Sequence, residues 1–175
     1  MQVVEFTELM ELMKYIAEAQ TPVNTATDGD VYENWNGAEI KYGAFNVGFQ
    51  EAFFQGQICT YRFVLYYGDR LMQDRSNAND IYADGIRVIT AIVNNLNNVN
   101  GVQVTSDPVD MHGFEQKFMD YLGGVYAIVD IACESVLGEC DNLLSPEWRL
   151  GMNLPAGISV DLPTGGSEDD EETNP

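Results

Sequence analysis

Apolar residues recur at helical spacing in two stretches of the chain. In the first, residues 7–20, the stripe consists of Leu9, Met13, Ile16 and Ala17. In the second, residues 80–97, it consists of Ile81, Gly85, Val88, Ile89, Ile92 and Leu96. Spacings of three and four residues place such side chains on one face of an α-helix. The pattern therefore predicts two amphipathic helices, with Thr7 and Asn79 as their N-caps.

The stretch between the two helices is typical of strands and turns. Residues 24–30 are polar and predict a loop, whereas residues 31–35 followed by Asn36-Gly37 predict a hairpin with residues 38–42. Alternation of apolar and small or polar residues over positions 45–49 predicts a strand with one buried face. Residues 57–67 are rich in β-branched and aromatic side chains, which predicts a central strand covered on both faces over part of its length.

Further strands are predicted after the second helix. Residues 102–105 indicate a short strand, and His112-Gly113 indicates a loop. Residues 114–122 and 125–133 predict two strands joined by a turn at Gly123-Gly124. This order predicts an α+β fold, an antiparallel β-sheet with two helices packed on one face, followed by an extended acidic C-terminal tail.

The periodic pattern fades beyond residue 137, where proline and glycine interrupt the chain. We therefore predict an α+β domain over residues 1–140 and an extended C-terminal arm with an acidic tail over residues 141–175. A tail of this composition is expected to be partly disordered when free. The chain of 175 residues and 19.5 kDa thus holds one domain and a tail.

Charge is the strongest compositional signal. The chain has 28 acidic and 8 basic residues, a formal net charge of -20, while 45% of its residues are hydrophobic. Such a surface repels nucleic acid at long range unless its few basic residues gather on one face. No apolar stretch reaches the roughly 20 residues that a membrane span needs, and the start lacks the pattern of a secretory signal.

The sequence carries no familiar catalytic or nucleotide-binding motif. Neither a P-loop nor a GxGxxG fingerprint occurs. The single histidine, His112, has Asp110 two residues away but no nucleophile nearby, which indicates a surface or interface histidine. Cys59, Cys133 and Cys140 lack the paired spacing of zinc ligands and indicate free thiols in a reducing interior, the first two as small hydrophobic residues of strands.

A cluster of hard oxygen ligands is the remaining candidate for metal binding. Asp28-Gly29-Asp30 and Glu33 lie close in sequence, but the twelve-residue calcium loop pattern is missing, so a turn is the better interpretation. We therefore predict no catalytic, cofactor-binding or metal site and a protein that is not an enzyme. A small enzyme with a carboxylate pair is a weaker alternative, which requires a concave pocket that holds acids with raised pKa values.

Two groups of apolar residues are candidates for an interface. Aromatic residues are dense between positions 32 and 82 and include Phe53 and Phe54; they fill an aromatic core or face another subunit. A segment without a regular pattern contains three spaced apolar residues, Trp148, Leu150 and Met152. This segment docks on a neighbouring subunit or packs back onto its own domain. The sequence leaves both alternatives open in each case.

The order of elements resembles that of a known class of proteins. The elements are an N-terminal helix, a hairpin, a long strand over 58–67 ending at Gly68-Asp69, a helix over 80–97 and a final strand over 125–133. Over residues 5–135 this order resembles small neck subunits of tailed bacteriophages, the tail terminator and head-to-tail joining proteins, including ring proteins of phages that infect gut Bacteroidetes. The extended C-terminal region departs from the compact members, and an arm that reaches a neighbouring ring is one explanation.

The resemblance implies a structural virion protein. Such a protein forms a homo-oligomeric ring of six or twelve copies between portal or connector and tail proteins, around a channel through which DNA passes without specific binding. It implies synthesis in the host cytoplasm, a place in the virion neck, and no cofactor, membrane or catalytic residue. The acidic composition agrees with this role, because carboxylates on a channel wall repel DNA phosphates, whereas fixed cations would bind them and slow the DNA. The alternative is an acidic inhibitor that mimics DNA and occupies a DNA-binding protein.

Overall fold

The computed structural model describes residues 6–36, 40–56, 58–117 and 120–134. Along the chain the elements are α1 (Phe6–Glu18), β1 (Thr25–Asp28), α2 (Val31–Trp35), β2 (Ala44–Gln55), β3 (Ile58–Arg70), α3 (Ala78–Leu96), β4 (Val102–Val104), β5 (Met111–Lys117) and β6 (Tyr121–Glu134). The predicted domain boundary at 140 and the predicted arm and acidic tail lie outside these residues.

All strands of the described residues join one six-stranded sheet. The order is β1-β2-β3-β6, and both β4 and β5 pair with the far side of β6, β4 against residues 131–133 and β5 against residues 121–127. β1 runs parallel to β2 and every other pairing is antiparallel. The predicted central strand is confirmed as β3, which lies between β2 and β6 and continues to Arg70, past the predicted stop at Gly68-Asp69.

The predicted α+β class is confirmed, and α1 and α3 share one core with the sheet. The two predicted stripes are buried, together with alternate strand residues such as Phe45, Leu65 and Val129. Because successive strand residues point to opposite faces, these side chains define a helix face of the sheet. The short α2 adds a smaller cluster around Trp35, Ala44 and Leu122, on the other face, which we call the outer face.

The prediction of a loop over 24–30 and a hairpin strand over 31–35 is wrong. Residues 25–28 form β1, and residues 31–35 form α2. The physical reason is the Asp30 side chain, which accepts hydrogen bonds from the N–H groups of Tyr32 (2.7 Å) and Glu33 (3.1 Å). This N-cap starts a helical turn, and burial of Trp35 against the outer face stabilises it.

The predicted turn at Gly123-Gly124 is also wrong, since both glycines lie inside β6. A Cβ atom on Gly124 would lie 2.6 Å from Cζ of Phe114 and would collide with the backbone oxygen of Tyr67. Glycine is needed here for close approach by an aromatic ring, which a turn signal in the sequence does not distinguish. The chain reverses between β5 and β6 instead, and His112, predicted in a loop, lies in β5.

Both predicted N-caps are misplaced. α1 begins at Phe6, so Thr7 lies within its first turn, and α3 begins at Ala78. Asn77 occupies the cap position of α3, but its side chain accepts from the Met72 N–H (2.9 Å) and donates to the Arg70 carbonyl (2.8 Å). That side chain therefore fixes the loop before α3. None of the helices within the described ranges has the length and apolar character that a membrane crossing requires.

Candidate functional site

The far ends of β2 and β3 extend beyond the helices that cover the rest of the sheet. β2 is buried from Ala44 to Val47 and exposed from Phe49 to its end. Phe6, the first residue of α1, reaches the rings of Phe49 (5.1 Å between centroids) and Phe63 (5.8 Å). We call the region from this point onward the sheet tip: residues 49–55 of β2, 58–62 of β3 and Asp130 of β6. We include Ile128 of β6, which lies opposite Val64, one row before that point.

Large apolar side chains of the sheet tip are exposed on both faces. Each of them is between 44% and 56% exposed: Phe49, Phe53, Phe54, Ile58 and Ile128. Phe54 lies opposite Cys59 on the helix face, and Phe53 lies opposite Thr60 on the outer face. The apolar surface therefore wraps around the tip. Exposed apolar side chains that lie together in this way often mark an interaction site, whereas single exposed apolar residues are common on any protein surface.

A β-bulge sets which residues share the outer face. Phe49 pairs with Phe63, yet Glu51 pairs with Arg62, so Gln50 is the extra residue of β2. After the bulge, Glu51 and Phe53 point to the same face as Arg62. This geometry brings a carboxylate, a guanidinium and an aromatic ring together.

Arg62 is the centre of the polar part of the tip. Its guanidinium donates to both carboxylate oxygens of Asp130 (2.7 and 2.9 Å) and to Glu51 (2.5 Å), and it lies 5.0 Å from the ring centroid of Phe53. The hydrogen bond to Asp130, more than any other contact, raises the pKa of Arg62. Both carboxylates are thus held beside a permanent cation, and Phe53 packs against it.

The sheet tip carries few charges. Between Gly48 and Tyr61 only one residue, Glu51, is charged, and it shares the guanidinium of Arg62 with Asp130. The chain as a whole has 28 acidic residues against 8 basic ones. Two copies therefore repel each other less at the sheet tip than at the acidic parts of their surfaces.

The predicted chemical candidates lie apart from the tip or are engaged in structure. His112 is exposed on β5 beside the ring of Tyr126, 5.2 Å between centroids. Asp30 caps α2, and Asp28 accepts from Lys14 (3.0 Å). Within the part of the chain that the structure describes, no group of three or more His, Cys, Asp and Glu is placed to hold a metal ion.

Cys59 and Cys133 lie directly opposite each other on β3 and β6. Cys133 is buried and Cys59 is half-buried. Burial, and then the neighbouring Cys59, raises the pKa of Cys133 from 9.0 to about 11. A thiol held so strongly in its protonated form is a poor nucleophile, which agrees with the prediction that Cys133 acts as a small hydrophobic residue.

A concave surface lies beside α1. A cavity of about 610 Å³ is lined by Leu12, Tyr15 and Val99 together with Glu8 and Glu11, among others. Glu11 forms an ion pair with Lys14 at 2.8 Å. Neither cysteine nor histidine lines the described part of this cavity.

The structure brings some predicted interface residues together and extends the set. Phe53 and Phe54 both belong to the sheet tip, on its two opposite faces, whereas Trp148, Leu150 and Met152 lie outside the described residues. Sequence reasoning missed Ile58 and Ile128 and the pairing of Arg62 with Asp130. The available signal was that Arg62 and Asp130 are each the one charged residue of an otherwise uncharged predicted strand. No family model and no curated protein matches the chain.

Proposed function

We propose that this protein is a structural virion subunit that assembles with copies of itself into a ring at the head–tail junction of a tailed bacteriophage. In this role, as a neck or tail terminator protein, it surrounds the DNA channel and contacts portal or connector proteins and tail proteins. The observation that carries the proposal is the sheet tip, an exposed apolar surface on an otherwise acidic molecule.

The composition of the tip supports a protein interface. Aromatic side chains and arginine are enriched where proteins meet, and the tip offers three exposed phenylalanines, of which Phe53 packs against Arg62. Completing the burial of each half-exposed side chain is worth about 1 kcal/mol. Five such side chains in each copy contribute free energy that opposes the repulsion between acidic subunits.

The net charge supports a place around DNA. A wall of carboxylates does not hold phosphates, so a genome slides past it without specific binding. Of the 8 basic residues, Lys14, Arg62, Arg70, Arg75 and Arg87 are engaged in ion pairs with acidic side chains of the same chain. Those ion pairs leave little positive charge to bind a DNA backbone.

The experiment is assembly of the purified full chain, followed by light scattering and negative-stain electron microscopy. We expect rings of six or twelve copies for the wild type and a loss of rings when Phe53→Ser and Phe54→Ser are combined. Ile86→Ser is the matched control, because Ile86 is 48% exposed on α3, outside the tip. Rings that persist in the double variant, or that disappear in the control, contradict the assignment of the tip as the ring contact.

A further inference from the structure

Most of β2 has an open edge. β1 pairs with residues 44–47 only, and no described strand lies beside residues 48–55 on the side away from β3. The edge of β4 differs, because its outward N–H groups are occupied: Val102 donates to the Val99 carbonyl (3.2 Å) and Val104 donates to the Asn97 side chain (2.9 Å). Along residues 48–55, β2 therefore has an edge whose backbone N–H and C=O groups are not paired with any described strand.

The hydrogen bonds of Asp130 show how the backbone groups alternate. Its carbonyl accepts from the N–H of Thr105 (2.8 Å) and its N–H donates to the Ser106 hydroxyl (2.7 Å), so both groups point away from β3. In an antiparallel pair, opposite residues either point their backbone groups at each other or both point them away. Arg62, the partner of Asp130, therefore points its backbone groups toward β2.

The same alternation identifies the groups at the open edge. On β3, every second residue from Arg62 to Ile58 points its backbone N–H and C=O groups toward β2. Their partners on β2 are Glu51, Phe53 and Gln55. The residues between those partners, Ala52 and Phe54, therefore point their N–H and C=O groups away from β3. These backbone groups are the donors and acceptors that a further strand would meet.

Beyond the bulge at Gln50, the edge lacks the side-chain features by which proteins usually protect one. Natural edge strands carry lysine, proline or unpaired inward charges that prevent another strand from adding. Residues 48–55 contain no lysine or proline, and their one charge, Glu51, is paired with Arg62. By contrast, β5 on the other side of the sheet carries Glu115 and Lys117 in its sequence. The open edge of β2 is thus suited to strand addition.

We propose that this edge pairs, antiparallel, with the same edge of a second copy of the chain, so that one sheet continues through both copies. Net charge argues for this occupant, because a basic partner is drawn to the acidic surface of a chain with charge -20, whereas residues 48–55 carry one charge, Glu51, that is already paired with Arg62. Two identical strands related by a two-fold axis are antiparallel and satisfy each other. Phe53 and Phe54 of each copy then flank the joint on its two faces.

The inference rests on one part of the proposed function, that copies of the chain assemble with each other, and on nothing about the virion. A two-fold contact closes at a dimer, so a ring built with it contains an even number of copies and needs a second contact between dimers. A dimer without a ring satisfies the inference and contradicts the proposed function.

The test is Ala52→Pro in the full chain, measured by sedimentation equilibrium. Proline removes the N–H that points to the open edge and leaves the hydrogen bonds between β2 and β3 in place, which edge strands tolerate. Ala52→Ser is the control, because it changes the exposed side chain and keeps the N–H. We expect the wild type and Ala52→Ser to form dimers or larger even multiples, and Ala52→Pro to remain monomeric at the same concentration.

Hydrogen exchange supplies a second readout. In the wild type, the amide of Phe54 is expected to gain protection as protein concentration rises, and in Ala52→Pro it is expected to stay unprotected at every concentration. If Ala52→Pro does not fold, Ala52→Lys replaces it, since lysine adds a charge that opposes strand addition without altering the backbone. A monomeric wild type, or folded edge variants that keep the wild-type mass, overturns edge pairing. Rings that survive in those variants overturn edge pairing alone and leave the proposed function standing.

Discussion

Arg62 and Asp130, which are 68 positions apart in the chain, are joined by two parallel hydrogen bonds across the central strands β3 and β6. A guanidinium and a carboxylate that meet in this way fix both the distance and the plane of the two groups. Because Arg62 also contacts Glu51 and Phe53, the pair sets the charge and shape of the outer face of the sheet tip.

Replacing Arg62 by methionine should weaken assembly in a salt-dependent way. The variant leaves the carboxylates of Glu51 and Asp130 without their cation, so two copies would bring four like charges together at the tip. We expect light scattering to show a smaller assembly at low salt and partial recovery in high salt, where repulsion is screened. Arg87→Met, which breaks an ion pair with Asp84 on α3, should change neither property. Equal behaviour of the two variants would contradict this role of Arg62.

Replacing Tyr67 by phenylalanine should not destabilise the protein. Tyr67 is fully buried, and its hydroxyl has no hydrogen-bond partner among the residues that the structure describes. A buried hydroxyl without a partner carries a desolvation cost, so its removal should keep or raise the free energy of unfolding by about 1 kcal/mol. Urea denaturation measures the change. A loss of more than about 1 kcal/mol would show that the hydroxyl is hydrogen-bonded, for example to a buried water.

Stability should fall at alkaline pH through three buried or half-buried groups. Burial is the main cause that raises the pKa of Cys133 from 9.0 to about 11 and that of Tyr61 from 10.0 to about 12, and it also raises the pKa of Tyr67. A raised pKa means that the unfolded chain loses its proton first, so the contribution is complete below about pH 9 and is lost as the pH rises toward 12. Urea midpoints between pH 7 and 11 measure this. A midpoint that stays constant or increases over that range contradicts the expectation.

The cysteine pair offers a chemical check of the same pKa shift. Because Cys133 keeps its proton until about pH 11, it should react slowly with iodoacetamide at pH 8 in the folded protein. Peptide mapping by mass spectrometry should show its full modification only after unfolding. Rapid labelling of Cys133 in the folded protein would show that the thiol is neither buried nor protonated.

How far the sequence predicts this fold depends on whether the deciding contact is local. The stripe from Ile81 to Leu96 is a local pattern, and α3 follows it residue by residue. The segment Val31–Trp35 consists largely of strand-forming residues before an Asn-Gly turn signal, yet the Asp30 cap and the burial of Trp35 make it a helix. Tertiary packing overrode local propensity there.

The candidate site was predictable in part for the same reason. Aromatic density pointed to Phe53 and Phe54, because composition is visible in a sequence. The exposure of Ile58 and Ile128 was not predictable, since both lie on the outer face, which α2 covers only around Trp35. The ion pair between Arg62 and Asp130 was not predictable either, because the register that places them opposite each other depends on residues far apart in the sequence.

Glycine at position 124 should be indispensable for packing. Gly124→Ala places a methyl group 2.6 Å from Phe114 Cζ and against the Tyr67 backbone oxygen, which does not move without disturbing β3. We expect the free energy of unfolding to fall by about 2–3 kcal/mol. Gly113→Ala is the control, because the nearest atom to its new methyl group lies at an ordinary 3.5 Å. Thermal or urea denaturation that finds both variants equally stable would refute the close approach.

The mass and shape of the purified full chain test the central claim most directly. Light scattering combined with electron microscopy should show closed rings of six or twelve copies with an open axis. A protein that remains a monomer at every concentration, with its sheet tip in contact with solvent alone, would contradict assembly through that surface.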